Sequence, residues 1–129
     1  MIAEVFFTGR MSESSLRVRL GRGVELVYDG GRVVLDPYGF NPGCGSALLT
    51  HAHRDHSRGY VRYRRGFATA ETLDLLALYV GRGRLRGSGR IRIGDRFRLD
   101  GLEVSVHDAG HVLGSVMYRV STAEHTLLY

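Results

Sequence analysis

Apolar and polar residues alternate along several short segments of this chain, which is the pattern that half-buried β-strands produce. Residues 25–28 and 32–35 form one such pair, and residues 96–99 and 102–106 form another. The dipeptide Asp-Gly lies between the segments of each pair, and its glycine supplies the positive φ that tight hairpin turns need. The pattern therefore predicts two β-hairpins.

The strongest helical periodicity lies between these hairpins, in residues 71–80. Leu73, Leu76 and Val80 recur there at the spacing of one helix face, and Thr69 is placed to cap the first turn. These apolar residues predict a helix that packs on a core rather than a cofactor site. Further strands are predicted at residues 46–50, 115–120 and 126–129.

No internal repeat or low-complexity linker divides residues 1–129, so short strands with few helices predict a single domain of the α/β (α+β) class. The first residues do not resemble a secretory signal, and no apolar run approaches the roughly 18 residues needed to span a membrane. The expected compartment is the cytoplasm. One cysteine, Cys44, excludes an internal disulfide and a four-cysteine zinc site.

Residues 51–56 bring three of the six histidines of the chain together with an aspartate. They follow an apolar stretch, so the cluster is predicted to lie on a strand-to-helix turn. Neutral imidazole is the commonest zinc ligand, and His51 and His53 are close enough in sequence to reach the same ion. Asp55 and His56 then suit a second cation that keeps a water in an open position. The alternative is a solvated polar loop, but residue types, spacing and context favour a metal site.

The order His-x-His-x-Asp-His in these residues resembles the signature of the metallo-β-lactamase superfamily of metal-dependent hydrolases. Residues 106–115 resemble the next metal-binding segment of that family, which implies that His111 completes a three-histidine set on the first metal. Residues 33–37 resemble the strand whose final aspartate, here Asp36, orients the metal loop without touching the ion. His107 lies outside the motif and is predicted to support the ligands or to lie in the core.

The resemblance implies a fold, a cofactor and a catalytic residue. The fold is the N-terminal half of the metallo-β-lactamase-type αββα sandwich, which agrees with hairpins and helices laid on one face. The family holds two Zn²⁺ ions, and one or two are expected here. Asp55 is also expected to orient the attacking water or to take its proton. The metal ligands implied are His51, His53, Asp55, His56 and His111.

The sequence Ala-Gly-His-Val-Leu-Gly of residues 109–114 is most similar to the corresponding motif of the β-CASP nucleases. These nucleases include archaeal relatives of the mRNA 3′-end cleavage factor and related exonucleases. This similarity implies a nuclease that cleaves the phosphodiester bonds of RNA or DNA with a metal-activated water, as in RNA processing. A small-molecule hydrolase of the glyoxalase II type is the alternative, because its motif also has glycine and serine after the histidine. Small-molecule thioesterases more often have proline before the first glycine, so a nuclease is favoured.

Charge and arginine content also favour a nucleic-acid substrate. The formal net charge is +5, and all 18 basic residues are arginine, whose planar guanidinium binds phosphate oxygens in pairs. RNA or single-stranded DNA is therefore the expected partner, held by arginines interleaved with Tyr60 and Tyr63 just beyond the metal loop. The alternative is an ordinary solvated face. The arginines in question are Arg58, Arg62, Arg64 and Arg65.

In the family, a strand like residues 126–129 is followed at once by a Thr-Gly-Asp turn whose carboxylate bridges the two metals. This sequence has no aspartate beyond Asp108, which predicts a truncated domain with an open sheet edge. A complementary chain or a second copy of this chain is expected to pair with that edge. A non-catalytic fragment that binds metal or a partner chain therefore stays open beside the enzyme.

Overall fold

A computed structural model describes residues 3–6, 15–39 and 45–129, with the backbone alone described for residues 3–6. Cys44 lies outside the described residues. None of the described helices is long and apolar enough to cross a lipid bilayer. Across the described ranges the strands are β1 (Ala3–Phe6), β2 (Arg17–Gly21), β3 (Gly23–Tyr28), β4 (Gly31–Leu35), β5 (Ser46–Leu48), β6 (Arg65–Thr69), β7 (Gly89–Ile91), β8 (Arg96–Leu99), β9 (Leu102–Asp108), β10 (Val116–Ser121) and β11 (Thr126–Leu128), and the α-helices are α1 (Arg54–Ser57) and α2 (Ala70–Val80).

Within the described part of the chain, the strands form two sheets. The first contains β1 to β7 in chain order, antiparallel from β1 to β4 and parallel from β4 to β7. The second has the order β11, β10, β9, β8, with each strand antiparallel to its neighbour. Parallel neighbours need a crossover connection, and α2 lies in the one that joins β6 to β7.

Both predicted hairpins are present, as β3 with β4 and as β8 with β9. Each turns through an aspartate and a glycine with positive φ, 49° and 76° at Asp29 and Gly30, and 48° and 82° at Asp100 and Gly101. Two successive positive φ values characterise a type I′ turn, whose twist matches that of the flanking strands. The local sequence therefore sets the register of these hairpins.

A core of mainly aliphatic side chains fills the space between the sheets. Leu26, Leu35 and Leu48 enter it from the first sheet and are fully buried. Val104 and Tyr118 enter it from the second sheet. Buried residues occupy alternate positions in β9 and β10, so one face of the second sheet packs on the core and the other faces outward.

Helix α2 covers the opposite face of the first sheet. Leu73 and Leu76 are buried there in a cluster that contains Leu49. The side chain of Thr69 accepts a hydrogen bond from the backbone N–H of Thr72 at 3.2 Å, which caps the helix start as predicted. The described residues therefore form three layers, helix, sheet and sheet, as expected for the N-terminal part of an αββα sandwich.

Candidate metal centre

The carboxyl ends of the parallel strands meet at one edge of the first sheet. Asp36 directly follows β4, the histidine motif begins shortly after the end of β5, and Thr69 is the last residue of β6. Neighbouring parallel strands run in the same direction, so residues that follow them come together in space. Open α/β sheets bind ligands at this edge, outside the carboxyl ends of their strands. The topology therefore places the predicted motif where a binding site is expected.

The side chains of His51, His53 and His111 converge, although 58 residues separate His53 from His111. Each offers one ring nitrogen, and these nitrogens all lie within 4.8 Å of one another. Nδ1 of His53 and Nε2 of His111 are 3.4 Å apart. Two nitrogens bound to one tetrahedral zinc ion at about 2.0–2.1 Å are about 3.3–3.4 Å from each other. The separation of His53 and His111 thus fits a single zinc ion, and a ring nitrogen of His51 lies within 4.8 Å of both.

His51 lies at the centre of the histidine cluster. Its ring centroid is 4.9 Å from that of His53, 4.4 Å from that of His56 and 5.0 Å from that of His111. Its Nε2 is buried and has no hydrogen-bond partner among the described residues. Burial, and next the positive charge of His56, lowers the pKa of His51. A lowered pKa favours neutral imidazole, which is the form that binds metal ions.

Asp55 and His56 form a second candidate ligand group beside His51. Oδ2 of Asp55 is 3.7 Å from Nε2 of His56, and the side chain of Asp55 is 81% exposed. The other ring nitrogen of His56, Nδ1, lies 2.9 Å from Oδ2 of Asp36. A carboxylate oxygen and an imidazole nitrogen at this separation can bind the same cation, and the exposure of Asp55 leaves that cation open to solvent.

The carboxylate of Asp36 lies behind the histidines, where the residue is 3% exposed. Its Oδ1 accepts a hydrogen bond from the backbone N–H of Thr50 at 2.7 Å, and its Oδ2 accepts one from the Thr50 hydroxyl at 2.6 Å. Asp36, His51 and His56 are also close enough together to hold a metal ion. Because protein donors already occupy the oxygens of Asp36, this second trio is a hydrogen-bond network in the structure. That geometry agrees with a residue that orients ligands without touching the ion.

His111 lies in the loop of residues 109–115, between β9 and β10. The hydroxyl oxygen of Ser115 accepts hydrogen bonds from the backbone N–H groups of His111 and Val112, both at 3.1 Å. A serine hydroxyl that binds nearby backbone N–H groups fixes a local turn. The backbone at His111 is therefore set by a residue of the same loop.

Contacts with the first sheet and with α2 hold this loop in place. The N–H of Val116 donates to the carbonyl of Thr50 at 2.9 Å. The hydroxyls of Thr69 and Thr72 donate to the carbonyl of Gly114 at 2.8 and 3.1 Å. The loop that carries His111 is thus tied to the start of α2 at Gly114, and the first residue of β10, directly after the loop, is tied to the residue before the histidine motif.

The structure separates the arginines that were predicted to contact nucleic acid. Arg58 is exposed and directly follows α1, close in sequence to Asp55. Arg65 is opposite Ser46 in the pairing of β5 with β6, at the end of these strands farther from His51. The five residue-to-residue steps from Ser46 to His51 span about 16 Å when extended. The intervening arginines, Arg62 and Arg64, are both exposed.

Tyr60 and His107 differ from the sequence-based predictions. Tyr60 is 2% exposed in the core beneath α2, and its hydroxyl donates to Ser88 at 3.1 Å, so its ring does not present a face for a base. Burial raises the pKa of Tyr60 to about 12. His107 is exposed, because it alternates with buried Val106 along β9 and so lies on the outer face of the second sheet. The prediction that His107 supports the ligands or lies in the core is wrong.

Sequence reasoning does not assign the hydroxyl residues that surround the centre. Thr69 is predicted only as a helix cap, and Thr50 is only the end of an apolar stretch. Ser115 follows His111 by four residues, a separation at which a hydroxyl can reach local backbone N–H groups. That separation is the sequence feature that could have identified Ser115. The contacts of Thr50 depend on strand pairing, which local sequence does not show.

Comparison with solved structures finds proteins of the metallo-β-lactamase fold. A metallo-β-lactamase with an HARLDQ motif from Cronobacter sakazakii has a TM-score of 0.61 at 18% identity, covering 90% of this chain and 55% of that chain. A mutant of that motif has a TM-score of 0.64 at 19% identity, covering 92% and 57%. A candidate metal-dependent hydrolase from Parabacteroides distasonis has a TM-score of 0.70 at 15% identity, covering 99% and 65%. The sequence has no significant match among protein-family models or curated proteins.

These likenesses show the fold, since the identities are only 15 to 19%. The chain has the metallo-β-lactamase fold and spans 55 to 65% of the length of these neighbours. When the six letters of HARLDQ are aligned with residues 51–56, arginine corresponds to His53 and glutamine corresponds to His56. This chain therefore has two more imidazoles in its motif. None of the reported names identifies a β-CASP nuclease, so that branch stays a prediction.

Proposed function

We propose that this chain provides the metal centre of a zinc-dependent hydrolase. The observation that carries the proposal is the convergence of the three histidines. One of them, His51, has a ring nitrogen that is buried without a hydrogen-bond partner in the described residues. Buried polar atoms in native proteins nearly always have a partner, so this nitrogen suits a metal ion. His51, His53 and His111 hold one Zn²⁺ in this proposal, and Asp55 with His56 holds a second.

Zinc, when bound at such a centre, supplies Lewis-acid activation of water at neutral pH. The remaining roles belong to side chains of the chain itself. His51 stays neutral over a wider pH range than an ordinary histidine, because burial lowers its pKa. Asp55 has an 81% exposed side chain, so its carboxylate can orient a water or accept a proton from it. Asp36 holds the ring of His56 through Nδ1.

The zinc content of the purified chain tests this proposal. We expect the wild-type chain to hold one or two zinc ions, and a His51→Ala/His53→Ala double variant to lose at least one of them. His107→Ala is the matched control, because it removes an exposed imidazole from the outer face of the second sheet. A folded wild-type chain that binds no zinc would overturn the proposal.

We further propose that the substrate is the phosphodiester backbone of RNA or single-stranded DNA. The net charge of +5 favours a polyanion. Arg58 has helical backbone angles, φ −56° and ψ −37°, so it lies on the same helix face as Arg54. The guanidinium of Arg54 lies 5.5 Å from the ring centre of Tyr79, which helps to orient it. These arginines flank Asp55 in the chain and offer phosphate-binding groups beside the metal centre.

Binding and cleavage of single-stranded RNA and DNA oligonucleotides by the zinc-loaded chain test the substrate. Arg58→Ala should weaken binding about tenfold or more, because a hydrogen bond to a charged group contributes about 1.5–3 kcal/mol. Arg65→Ala is the matched control, since it removes the same charge at the far end of β6. Equal losses in the two variants would contradict a phosphate site beside the metal centre.

A small-molecule hydrolase is the second candidate, because the structural neighbours include proteins named as metallo-β-lactamases and as a candidate metal-dependent hydrolase. The same zinc-loaded chain should therefore also be assayed with a β-lactam and with a thioester. Turnover that is lost in His51→Ala/His53→Ala and kept in Arg58→Ala would favour this candidate over the nuclease. Zinc binding without turnover of any of these substrates would support the non-catalytic alternative.

A further inference from the structure

Thr50 connects the buried carboxylate of Asp36 to the ring of His51. Its hydroxyl oxygen is 2.6 Å from Oδ2 of Asp36 and 2.7 Å from Nδ1 of His51. Its backbone N–H donates to Asp36, and its carbonyl accepts from Val116. The residue is 7% exposed, so bulk water competes little for these contacts. Thr50 is therefore held rigidly between the carboxylate and the imidazole.

The single proton of the Thr50 hydroxyl sets the direction of both contacts. The hydroxyl donates its proton to Oδ2 of Asp36. The hydroxyl oxygen can then only accept from His51, and Nδ1 of His51 must carry a proton. A neutral imidazole has one protonated nitrogen, so Nε2 of His51 keeps a free lone pair.

That lone pair belongs to the nitrogen of His51 that is buried without a partner in the described part of the chain. We infer that Thr50 is a positioning residue that selects the Nδ1–H tautomer of His51 and so presents Nε2 to a metal ion. The inference rests on the proposed function for the identity of the ion. The tautomer itself follows from the hydrogen bonds and exists in the metal-free protein as well.

His56 provides an internal comparison, because Asp36 holds it without an intermediate hydroxyl. Nδ1 of His56 is 2.9 Å from Oδ2 of Asp36, so this nitrogen donates and Nε2 is left beside Asp55. One carboxylate therefore fixes a histidine of each ligand group, His56 directly and His51 through Thr50. Removal of the Thr50 hydroxyl should affect His51 and leave His56 unchanged.

The test compares Thr50→Val, which removes the hydroxyl and keeps the shape, with Thr50→Ser, which keeps the hydroxyl. Nitrogen-15 NMR of the imidazole rings in the metal-free proteins reports which nitrogen carries the proton. We expect the Nδ1–H form at His51 in the wild type and in Thr50→Ser, and loss of this preference in Thr50→Val. His56 should keep its Nδ1–H form in all three proteins.

Zinc affinity, measured by competition with a chelator, provides the second readout. Thr50→Val should bind zinc about 10–100-fold more weakly, as is usual when a metal-bound histidine loses its supporting hydrogen bond. Thr50→Ser should bind like the wild type. Thermal unfolding of each metal-free protein establishes that the variants are folded.

An Nε2–H tautomer at His51 in the wild type would overturn the inference, and so would wild-type zinc affinity in a folded Thr50→Val. If Thr50→Val does not fold, the wild-type tautomer and Thr50→Ser still decide the matter. A wild-type chain with the Nδ1–H form at His51 but no zinc binding would refute the proposed function and leave the tautomer assignment intact. The two failures are thus distinguishable.

Discussion

Asp36 combines a buried carboxylate with a backbone conformation that few side chains adopt. Its φ is 47°, in the left-handed region, where aspartate is less disfavoured than most non-glycine residues. Its N–H donates to the carbonyl of Leu48 at 2.9 Å, and its carboxylate accepts from Thr50 and His56. Such a conformation costs about 1–3 kcal/mol and persists only where surrounding contacts hold it. Here those contacts lead to the histidines of the candidate metal centre.

An Asp36→Asn variant keeps the shape of this side chain but replaces one acceptor oxygen with a donor. The amide nitrogen cannot accept a hydrogen bond, so Thr50 or His56 loses its partner. We expect zinc affinity to fall about 10–100-fold in a chelator competition assay. Asp29→Asn is the control, because Asp29 has a similar φ of 49° in the exposed turn at the other end of β4. Unchanged zinc affinity in a folded Asp36→Asn would show that the carboxylate does not support the ligands.

Residue roles are visible in the sequence where they depend on local spacing. The histidines and the aspartate of residues 51–56 form a compact motif, and their types and intervals alone indicate a metal site. The role of Thr50 depends on Asp36, which is 14 residues away and directly follows the neighbouring strand β4. That contact arises from the parallel pairing of β4 with β5, which no local interval encodes.

At the scale of elements, α2 supports the candidate metal centre, although none of the proposed ligands lies on this helix. Its cap, Thr69, and the first-turn residue Thr72 donate hydroxyl protons to the carbonyl of Gly114, in the loop that carries His111. The same Thr69 hydroxyl accepts from the N–H of Thr72. The first turn of α2 is therefore held by the same hydroxyl groups that hold the loop. A substitution that displaces these hydroxyls should change the position of His111.

Gly114→Ala tests this coupling, with Gly110→Ala as its control in the same loop. Both glycines have positive φ, 80° and 63°, so alanine at either position costs about 1–2 kcal/mol of backbone strain. A Cβ at Gly114 would lie 2.8 Å from Oγ1 of Thr69 and from N of Thr72, whereas one at Gly110 meets no described atom within 4 Å. We expect Gly114→Ala to lower the free energy of urea unfolding further and to weaken zinc binding more. Equal effects would mean that the helix start does not position the loop.

Both hairpins and α2 follow from local sequence, because Asp-Gly turns and helical periodicity act over a few residues. Strands β6 and β7 are not predicted from the sequence, since each contains a glycine, which is depleted in strands. A Cβ at Gly66 would lie 2.7 Å from the ring of Tyr60, and one at Gly89 would clash with the ring of Phe67. These glycines accommodate aromatic packing, a tertiary cause that a local pattern cannot reveal.

At the scale of the whole molecule, tyrosines are buried on both faces of the first sheet. Tyr60 lies beneath α2, and Tyr118 lies between the sheets. The hydroxyl of Tyr118 donates a hydrogen bond to the carbonyl of Leu49 at 2.6 Å. Burial, and next the negative charge of Asp36, raises the pKa of Tyr118 and of Tyr129. A buried phenol stays neutral because the phenolate would lose its hydration. The packing of the layers therefore depends on neutral tyrosines.

Alkaline pH should destabilise the fold through these residues. The pKa of Tyr60 is raised from 10.0 to about 12, so its contribution to stability is complete below pH 10 and is lost as the pH rises towards 12. Over that range the free energy of unfolding should fall by about 1.4 kcal/mol per pH unit for this residue. Urea unfolding at successive pH values should show a shallower decline in Tyr60→Phe than in the wild type. Identical slopes would show that Tyr60 ionises as readily in the folded chain as in the unfolded chain.

The sandwich as a whole was predicted from a family resemblance and not from the residue pattern. Periodicity predicts individual strands, but it does not say that β4 to β7 run parallel or that the second sheet packs on the first. Those pairings join segments distant in sequence, for example Ser46 with Arg65. The motifs in residues 33–37, 51–56 and 106–115 supplied this long-range information, because the family joins them in one fold.

The three clustered histidines come from segments next to both sheets. His51 and His53 follow β5, whereas His111 lies between β9 and β10. Contacts between segments 58 residues apart form slowly, because the chain must first close a long loop. The hairpins, by contrast, close within a few residues and form on the microsecond timescale. Zinc capture by the complete trio should therefore be a late event in refolding, and its rate should report when the sheets come together.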